Sequence, residues 1–227
     1  MISPLAIALH ELRRGKPRVL PVGGLVVHTT GGGPARSARK LGIPADERAL
    51  AYYLRGNGGF PHYLIDRDGD LFAICDEGEI ANHAGWANIG GTVAWRKWKA
   101  PKWWCDAWIG WSTPIDLVEA VNPLARTPNA VYLGCELLAD ESGWNFTAQQ
   151  YLKLAMLWVD MRARYPGLPH ADTLPMFRLC GHEDLNPTER ASGGKPWDPG
   201  AHRPDAKFSW VRLAEAIRRC GTLPRDA

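Results

Sequence analysis

Apolar residues in this chain fall into short runs whose spacing switches between strand-like and helical. VLPVGGLVVH (19–28) is β-branched and brief, and TTGGGP stops it, which predicts a buried strand ending at His28. Residues 44–55, PADERALAYYLR, carry a helical stripe of Ala49, Leu50, Tyr53 and Leu54. Pro44 and Asp46 suit the first turn of that helix, and Gly56 ends it. HYLIDRDGDLFAI (62–74) predicts two short strands joined by a hairpin turn at Asp68-Gly69. NAVYLGCELL (129–138) resumes strand-like character, although its apolar continuity also fits a buried helix.

The clearest helix spans 148–165, where Thr147 and Gln150 form a capping-box pattern; Leu152, Ala155, Trp158 or Val159, and Met161 mark its apolar side. MFRLCGH (176–182) predicts another short strand that delivers a histidine at its end. A Pro- and Gly-rich loop follows to about residue 207. The last helix, 208–220, has Trp210, Leu213, Ala214 and Ile217 on one face, with Arg218 and Arg219 near its C-terminus, where cations favour the helix dipole. Strands alternate with helices and no repeat is visible, so the fold class is α/β: a single domain over 1–227 with a mixed central sheet flanked by helices.

Composition bounds that picture. The 227 residues are 45% hydrophobic and 22% charged, enough to bury a core and somewhat long for one domain. A formal net charge of +3 is too small and mixed to argue for nucleic acid or membrane affinity. No stretch reaches the roughly 20 apolar residues of a membrane span. The start is a poor signal peptide, because its basic residues follow the apolar run, so synthesis in the cytoplasm is the expectation. The five cysteines are odd in number and scattered, which argues against a disulfide framework. Of the eleven tryptophans, Trp95, Trp98, Trp103, Trp104, Trp108 and Trp111 crowd into one segment of an insertion at about 86–128.

Candidate chemistry sits at the ends of the expected strands or in the loops beside them: His28, His83, Glu136, His182 and Asp198. Such positions fix a side chain and leave it accessible. Two histidines and a carboxylate are also a three-ligand set for catalytic zinc. Their wide separation carries little information by itself. Other polar residues have simpler explanations. The run Asp66, Asp68, Asp70 with Glu77 has the acidic offsets of a calcium loop, but Leu71 stands where the sharp turn needs Gly, so the hairpin explains it. His62 reads as a packed, hydrogen-bonded histidine, and Cys180 as core.

The blocks VVHTTGG (26–32), PHYLIDRDGDL (61–71), ANHAG (81–85), YLGCEL (132–137) and GHEDLNP…KPWDPG…FSW (181–210) have a shared order. In that order they resemble the zinc-dependent N-acetylmuramoyl-L-alanine amidases of the peptidoglycan-recognition and phage T7 lysozyme type. The resemblance covers about residues 20–215, interrupted by the insertion. It implies one zinc ion held by His28, by His182 of the G-H-x-D block, and by Asp198 before Pro-Gly. It also implies Glu136 as general base and Lys195 as the cation that stabilises the tetrahedral oxyanion. His83, in a loop like the family's W-H-A-G, and Trp86 are the implied substrate contacts. Lys195 lies three residues before Asp198 rather than the usual two, so Arg190 is an alternative cation. Pro61 stands where one branch of the family has an assisting tyrosine, which leaves the proton work to Glu136.

Those implications fit what amide hydrolysis needs. Zinc lowers the pKa of water to about 7 and polarises a carbonyl. A carboxylate that moves the proton to the leaving amine contributes roughly 10²–10⁴-fold. The expected substrate is bacterial peptidoglycan or a smaller muropeptide, with no nucleic acid partner and no stable membrane insertion. A phage lysin, a recycling enzyme and an antibacterial effector are all compatible. Two rivals belong to other classes: a module that binds muropeptide without cleaving it, and a nucleic-acid or membrane binder built on the Trp- and Lys-rich insertion. That insertion could stack on sugars, bind an anionic partner, or form a small accessory core.

Overall fold

The computed structural model describes residues 1–56, 58–84, 127–168, 178–185, 198–201 and 207–222. The insertion expected at 86–128 lies outside the described residues up to position 126. The described strands are β1 (Ile7–Arg13), β2 (Lys16–Pro17), β3 (Gly24–Thr29), β4 (Tyr63–Ile65), β5 (Leu71–Cys75), β6 (Glu79–Ile80), β7 (Tyr132–Leu137) and β8 (Leu179–Gly181). The described helices are α1 (Gly33–Leu41), α2 (Ala45–Arg55), α3 (Pro128–Val131), α4 (Ala148–Arg164), α5 (His182–Leu185) and α6 (Trp210–Thr222).

Six strands form one mixed sheet in the order β1-β5-β4-β7-β3-β8, and β2 pairs with β6 apart from it. Only the β4–β5 hairpin is antiparallel within the large sheet; its other pairs are parallel. The hairpin turns where the Asp-Gly pair predicts: Gly69 takes φ 90°, and the Asp66 carboxylate accepts the N–H groups of Asp68 and Asp70. Those bonds account for the acidic run without a cation.

The strand period of two divides the sheet into faces with different work. Leu25 and Val27, Tyr63 and Ile65, and Leu133, Cys135 and Leu137 bury themselves against Leu154, Trp158 and Met161 of α4 and Leu213 and Ile217 of α6. The intervening residues, Leu64 and Ile74 among them, pack with Ala49 and Tyr53 of α2. His28 and Glu136 alternate with the first set, so the strand period gives them the second face.

Helix α4 begins as its sequence requires. Thr147 accepts the Gln150 N–H, and the Gln150 side chain accepts the Thr147 N–H. Its buried face runs through Tyr151, Leu154, Ala155, Trp158 and Met161, whereas Leu152, expected on the apolar side, is 46% exposed. At about 100° per residue, Leu152 points away from the side that Tyr151 and Leu154–Ala155 define. Among the described residues, no helix is long and apolar enough to cross a membrane.

Three departures from the sequence reading have local causes. The strand expected over 19–28 begins only at Gly24. Pro21 has no N–H to give a ladder, Val19 is exposed, and Gly23 donates to Val131 outside the sheet. Strand β1 occupies what reads as a polar N-terminal stretch; it is an edge strand whose partner β5 lies some sixty residues away. Helix α1 starts in the Gly-rich TTGGGP turn, with Pro34 in its first turn and Gly42 closing it at φ 67°.

Buried charge outside the second face is compensated. Glu77 accepts hydrogen bonds from Tyr63, Tyr165 and Arg164, and Arg164 also pairs with Asp160, which ties α4 to the sheet. The Thr147 hydroxyl also donates to the Arg67 carbonyl. Thr147→Ala therefore lowers stability by about 1–2 kcal/mol, read as a lower midpoint in urea unfolding, while Leu152→Ala changes it little.

Candidate metal centre

The polar cluster is assembled by register. β8 runs parallel to β3 with Val27 opposite Gly181, so the next residue on each strand, His28 and His182, reaches the same level. On the other side of β3, His28 is the register partner of Glu136 on β7. Asp198 completes the group from the short described segment 198–201, which short bonds tie to α5. The Glu183 N–H donates to the Asp198 carbonyl at 2.8 Å, the Ala201 N–H donates to the Glu183 carboxylate at 2.7 Å, and Asp184 accepts the Gly181 N–H at 2.7 Å. Glu183 of G-H-E-D thus holds the segment that carries the carboxylate, while Asp184 caps the end of β8 at Gly181.

His28, His182 and Asp198 are all buried, and one donor atom from each lies within 4.8 Å of the others. Asp198 Oδ2 is 3.2 Å from His28 Nδ1 and 3.1 Å from His182 Nδ1. The other carboxylate oxygen, Oδ1, accepts the Thr29 N–H at 2.7 Å, which aims Oδ2 at the imidazoles. Burial pushes the Asp198 carboxyl up, but the two imidazoles outweigh it and hold it well below the usual carboxylate range. Lone pairs on two nitrogens and a carboxylate oxygen repel one another unless positive charge lies among them. Protons on the imidazoles or a bound cation supply it, and the mixed N/O donor set with a fixed geometry fits a metal ion.

His83 sets which nitrogen of His28 is available. His83 Nε2 is 3.3 Å from the Tyr132 carbonyl, which can only accept, so Nε2 carries the proton. Burial, with His28 and His62 adding to it, pushes His83 well below the ordinary histidine value and keeps it neutral, so its Nδ1 is an acceptor. The 3.0 Å contact between His28 Nε2 and His83 Nδ1 is then a hydrogen bond donated by His28. That bond places the Nε2 proton of His28 away from Asp198 and turns Nδ1 toward it. A Cβ on Gly134 would meet His83 Cγ at 2.4 Å, so glycine in YLGCEL is what admits the ring.

His62 lies behind His83, with ring centroids 5.7 Å apart. Its Nδ1 accepts the Gly134 N–H at 3.0 Å, and burial, then the Arg18 charge, pushes it down to about 3. It is a neutral, packed histidine, as its sequence setting suggests. Cys180 is buried core.

Glu136 and His83 open onto a groove of about 500 Å³ whose far wall is formed by Pro34, Ser37, Arg48 and Tyr52 of α1 and α2. Tyr53 also lines it. Burial and then the nearby Glu136 charge push the Tyr53 phenol well above its ordinary value, so it keeps its proton. The tertiary structure thus brings together His28, His182, Asp198, His83 and Glu136. Lys195, Trp86 and Arg190 lie outside the described residues. Tyr53 and Gly134 escape a sequence reading: Tyr53 occupies the apolar stripe of α2, and nothing local shows that it lines the groove.

Comparison with known proteins agrees with this geometry. The Amidase_2 family, described as N-acetylmuramoyl-L-alanine amidase, matches residues 18–201. No curated protein matches the chain in sequence. Among solved structures, AmpD, as a selenomethionine derivative, is similar with a TM-score of 0.51 and 19% identity over 94% of this chain and 95% of AmpD, which supports the fold. The amidase LysC from Clostridium intestinale is similar at a TM-score of 0.48 and 15% identity, over 95% of this chain and 99% of LysC. The endolysin of the Thermus scotoductus bacteriophage Ph2119 has a TM-score of 0.47 and 18% identity, over 89% of each chain.

Because His83 orients His28 without offering an atom to the ion, His83→Ala weakens divalent-metal affinity by about 10–100-fold. Chelator competition measures this, and unchanged affinity would show that His28 needs no such support.

Proposed function

Because this chain belongs to the Amidase_2 family, the N-acetylmuramoyl-L-alanine amidases, which hydrolyse the amide between N-acetylmuramic acid and L-alanine in peptidoglycan, we propose that His28, His182 and Asp198 hold a catalytic zinc ion and that Glu136 is its general base. The observation that carries this reading is the convergence of two Nδ1 atoms and one carboxylate oxygen beside Glu136, at the ends of adjacent parallel strands. These three residues would hold the ion and would leave it open to the reacting groups. When bound, zinc supplies Lewis-acid polarisation of the scissile carbonyl and acidifies water to a pKa of about 7.

The protein's own residues do the rest. Thr29 N–H and the two imidazoles fix the Asp198 carboxylate, and the His83 bond fixes His28, so the donors need little reorganisation. Glu136, at the edge of the groove, accepts a proton from the attacking water as the C–O bond forms. It returns that proton to the alanine nitrogen as the C–N bond breaks, so the amine leaves neutral. Lys195, three positions before Asp198, is the proposed cation for the oxyanion, an interaction of a few kcal/mol by comparison with roughly 3–4 for one oxyanion-hole donor. His83, on the groove wall, and Trp86, three residues on, are the proposed contacts to the glycan or stem peptide. A module that only binds muropeptide has no need of this complete donor set beside a carboxylate.

The test is stem-peptide release from intact sacculi by the zinc-loaded chain, with products identified by mass spectrometry. Glu136→Ala is expected to lower turnover by about 10²–10⁴-fold with zinc retained at one equivalent, whereas His28→Ala loses the zinc. Absence of stoichiometric zinc, or of any released peptide, would overturn the assignment. Loss of zinc from Glu136→Ala would make that residue structural.

A further inference from the structure

Residues 81–84, which carry His83, lie in no strand, yet two consecutive N–H groups of that segment meet one side-chain atom. Asn129 Oδ1 accepts the Ala84 N–H at 2.9 Å and the His83 N–H at 3.3 Å. Two donors converging on one amide atom require oxygen there, so the orientation of the Asn129 amide is fixed. Its Nδ2 then points to Asn82 Oδ1 at 3.4 Å. Asn129 is only 7% exposed, a depth at which polar groups are kept paired. The Asn82 carbonyl ties the same segment to Phe60, whose N–H it accepts at 2.9 Å. Asn129 belongs to α3, immediately before β7, and β7 supplies the other two supports of His83: the Tyr132 carbonyl, 3.3 Å from Nε2, and the space left by Gly134. One short stretch, 129–134, therefore holds the backbone, a ring nitrogen and the ring itself. Arg18 anchors that stretch by donating to the Ala130 carbonyl at 2.8 Å.

We propose that Asn129 is a positioning residue for the metal centre: by clasping the His83 and Ala84 amides it places the His83 imidazole against Gly134, and so sets the bond by which His83 orients His28. The inference rests on the reading of His28 as a metal ligand. The contact between His28 Nε2 and His83 Nδ1 is 3.0 Å long. A shift of the His83 backbone by roughly 1 Å carries it beyond hydrogen-bond distance. A segment outside any ladder has only such side-chain and turn bonds to hold its N–H groups in place.

Chelator competition on the full chain reads the effect. Asn129→Ala is expected to weaken zinc affinity by about tenfold, as loss of a support behind a ligand does. Asn129→Asp keeps the accepting oxygen, Asn82 can turn its amide to donate to the other, and the Arg18 guanidinium beside the Asn129 carbonyl balances the added charge. Its affinity therefore stays within about twofold of wild type. In a His83→Ala background, Asn129→Ala brings no further loss, because its target is gone. Should Asn129→Ala not fold, Asn129→Ser, too short to reach both amides, is measured in its place. A second measurement needs no metal. In the metal-free chain, the His83 and Ala84 amides of Asn129→Ala exchange with deuterium at least about fivefold faster than in wild type, relative to the amides of α4. Unchanged zinc affinity in Asn129→Ala, an Asn129→Asp variant as weak as Asn129→Ala, or an equal loss with and without His83 overturns the positioning role. Unaltered exchange at the two amides overturns the clasp itself. If wild type takes up no stoichiometric zinc while exchange at those amides rises in Asn129→Ala, the clasp stands, and the metal assignment and the positioning role fall together.

Discussion

A buried carboxylate oxygen faces two imidazole nitrogens at hydrogen-bond distance, and much of the architecture around it serves to hold that arrangement. Asp198, His28 and His182 come from places 16 to 170 positions apart in the chain, and no local interaction could bring them together. Three kinds of constraint do so. Parallel pairing of β3 with β8 levels the two histidines, the Glu183 bonds hold the segment that bears Asp198, and Thr29 N–H turns its carboxylate. Positive charge at the centre then converts mutual repulsion of lone pairs into attraction.

The sheet separates stability from chemistry. On one face, Leu, Val, Tyr and Ile side chains meet α4 and α6 in the larger apolar cluster, and fully burying each such side chain contributes about 1.5–3 kcal/mol. The other face carries the smaller cluster under α2 together with the polar residues, and the groove opens there. Packing on the first face can therefore tolerate the cost of grouping polar side chains on the second. Polar groups on that second face are also supported from behind. His62 accepts the Gly134 N–H, and His83 rests where Gly134 leaves room.

His83 illustrates how one residue can serve two ends. Its loop sequence resembles a substrate-lining motif, and the ring does border the groove, but its Nδ1 also fixes the tautomer of His28. Substitution there is expected to disturb metal affinity as well as substrate contact. Tyr53 is the complementary case, a residue of the core cluster under α2 that also lines the groove.

Much of this was legible in the sequence. The 2.0 and 3.6 periodicities marked β3, the β4–β5 hairpin, α2, α4 and α6, and five short blocks in order pointed to the family and to His28, His182, Asp198 and Glu136. Such features depend on neighbours a few positions apart, which a linear reading sees. Edge strand β1 and helix α1 were not visible: the strand is defined by a distant partner, and the helix begins inside a glycine run. Nor could sequence reveal that His83 bonds His28, that Gly134 makes room for it, or that Tyr53 lines the same groove as Glu136. The His83–His28 and Gly134–His83 contacts join residues 55 and 51 positions apart, and the angle at which strands and helices pack decides them. The sequence by itself determined which side chains were available for chemistry; only tertiary packing decided which atoms of those side chains face one another.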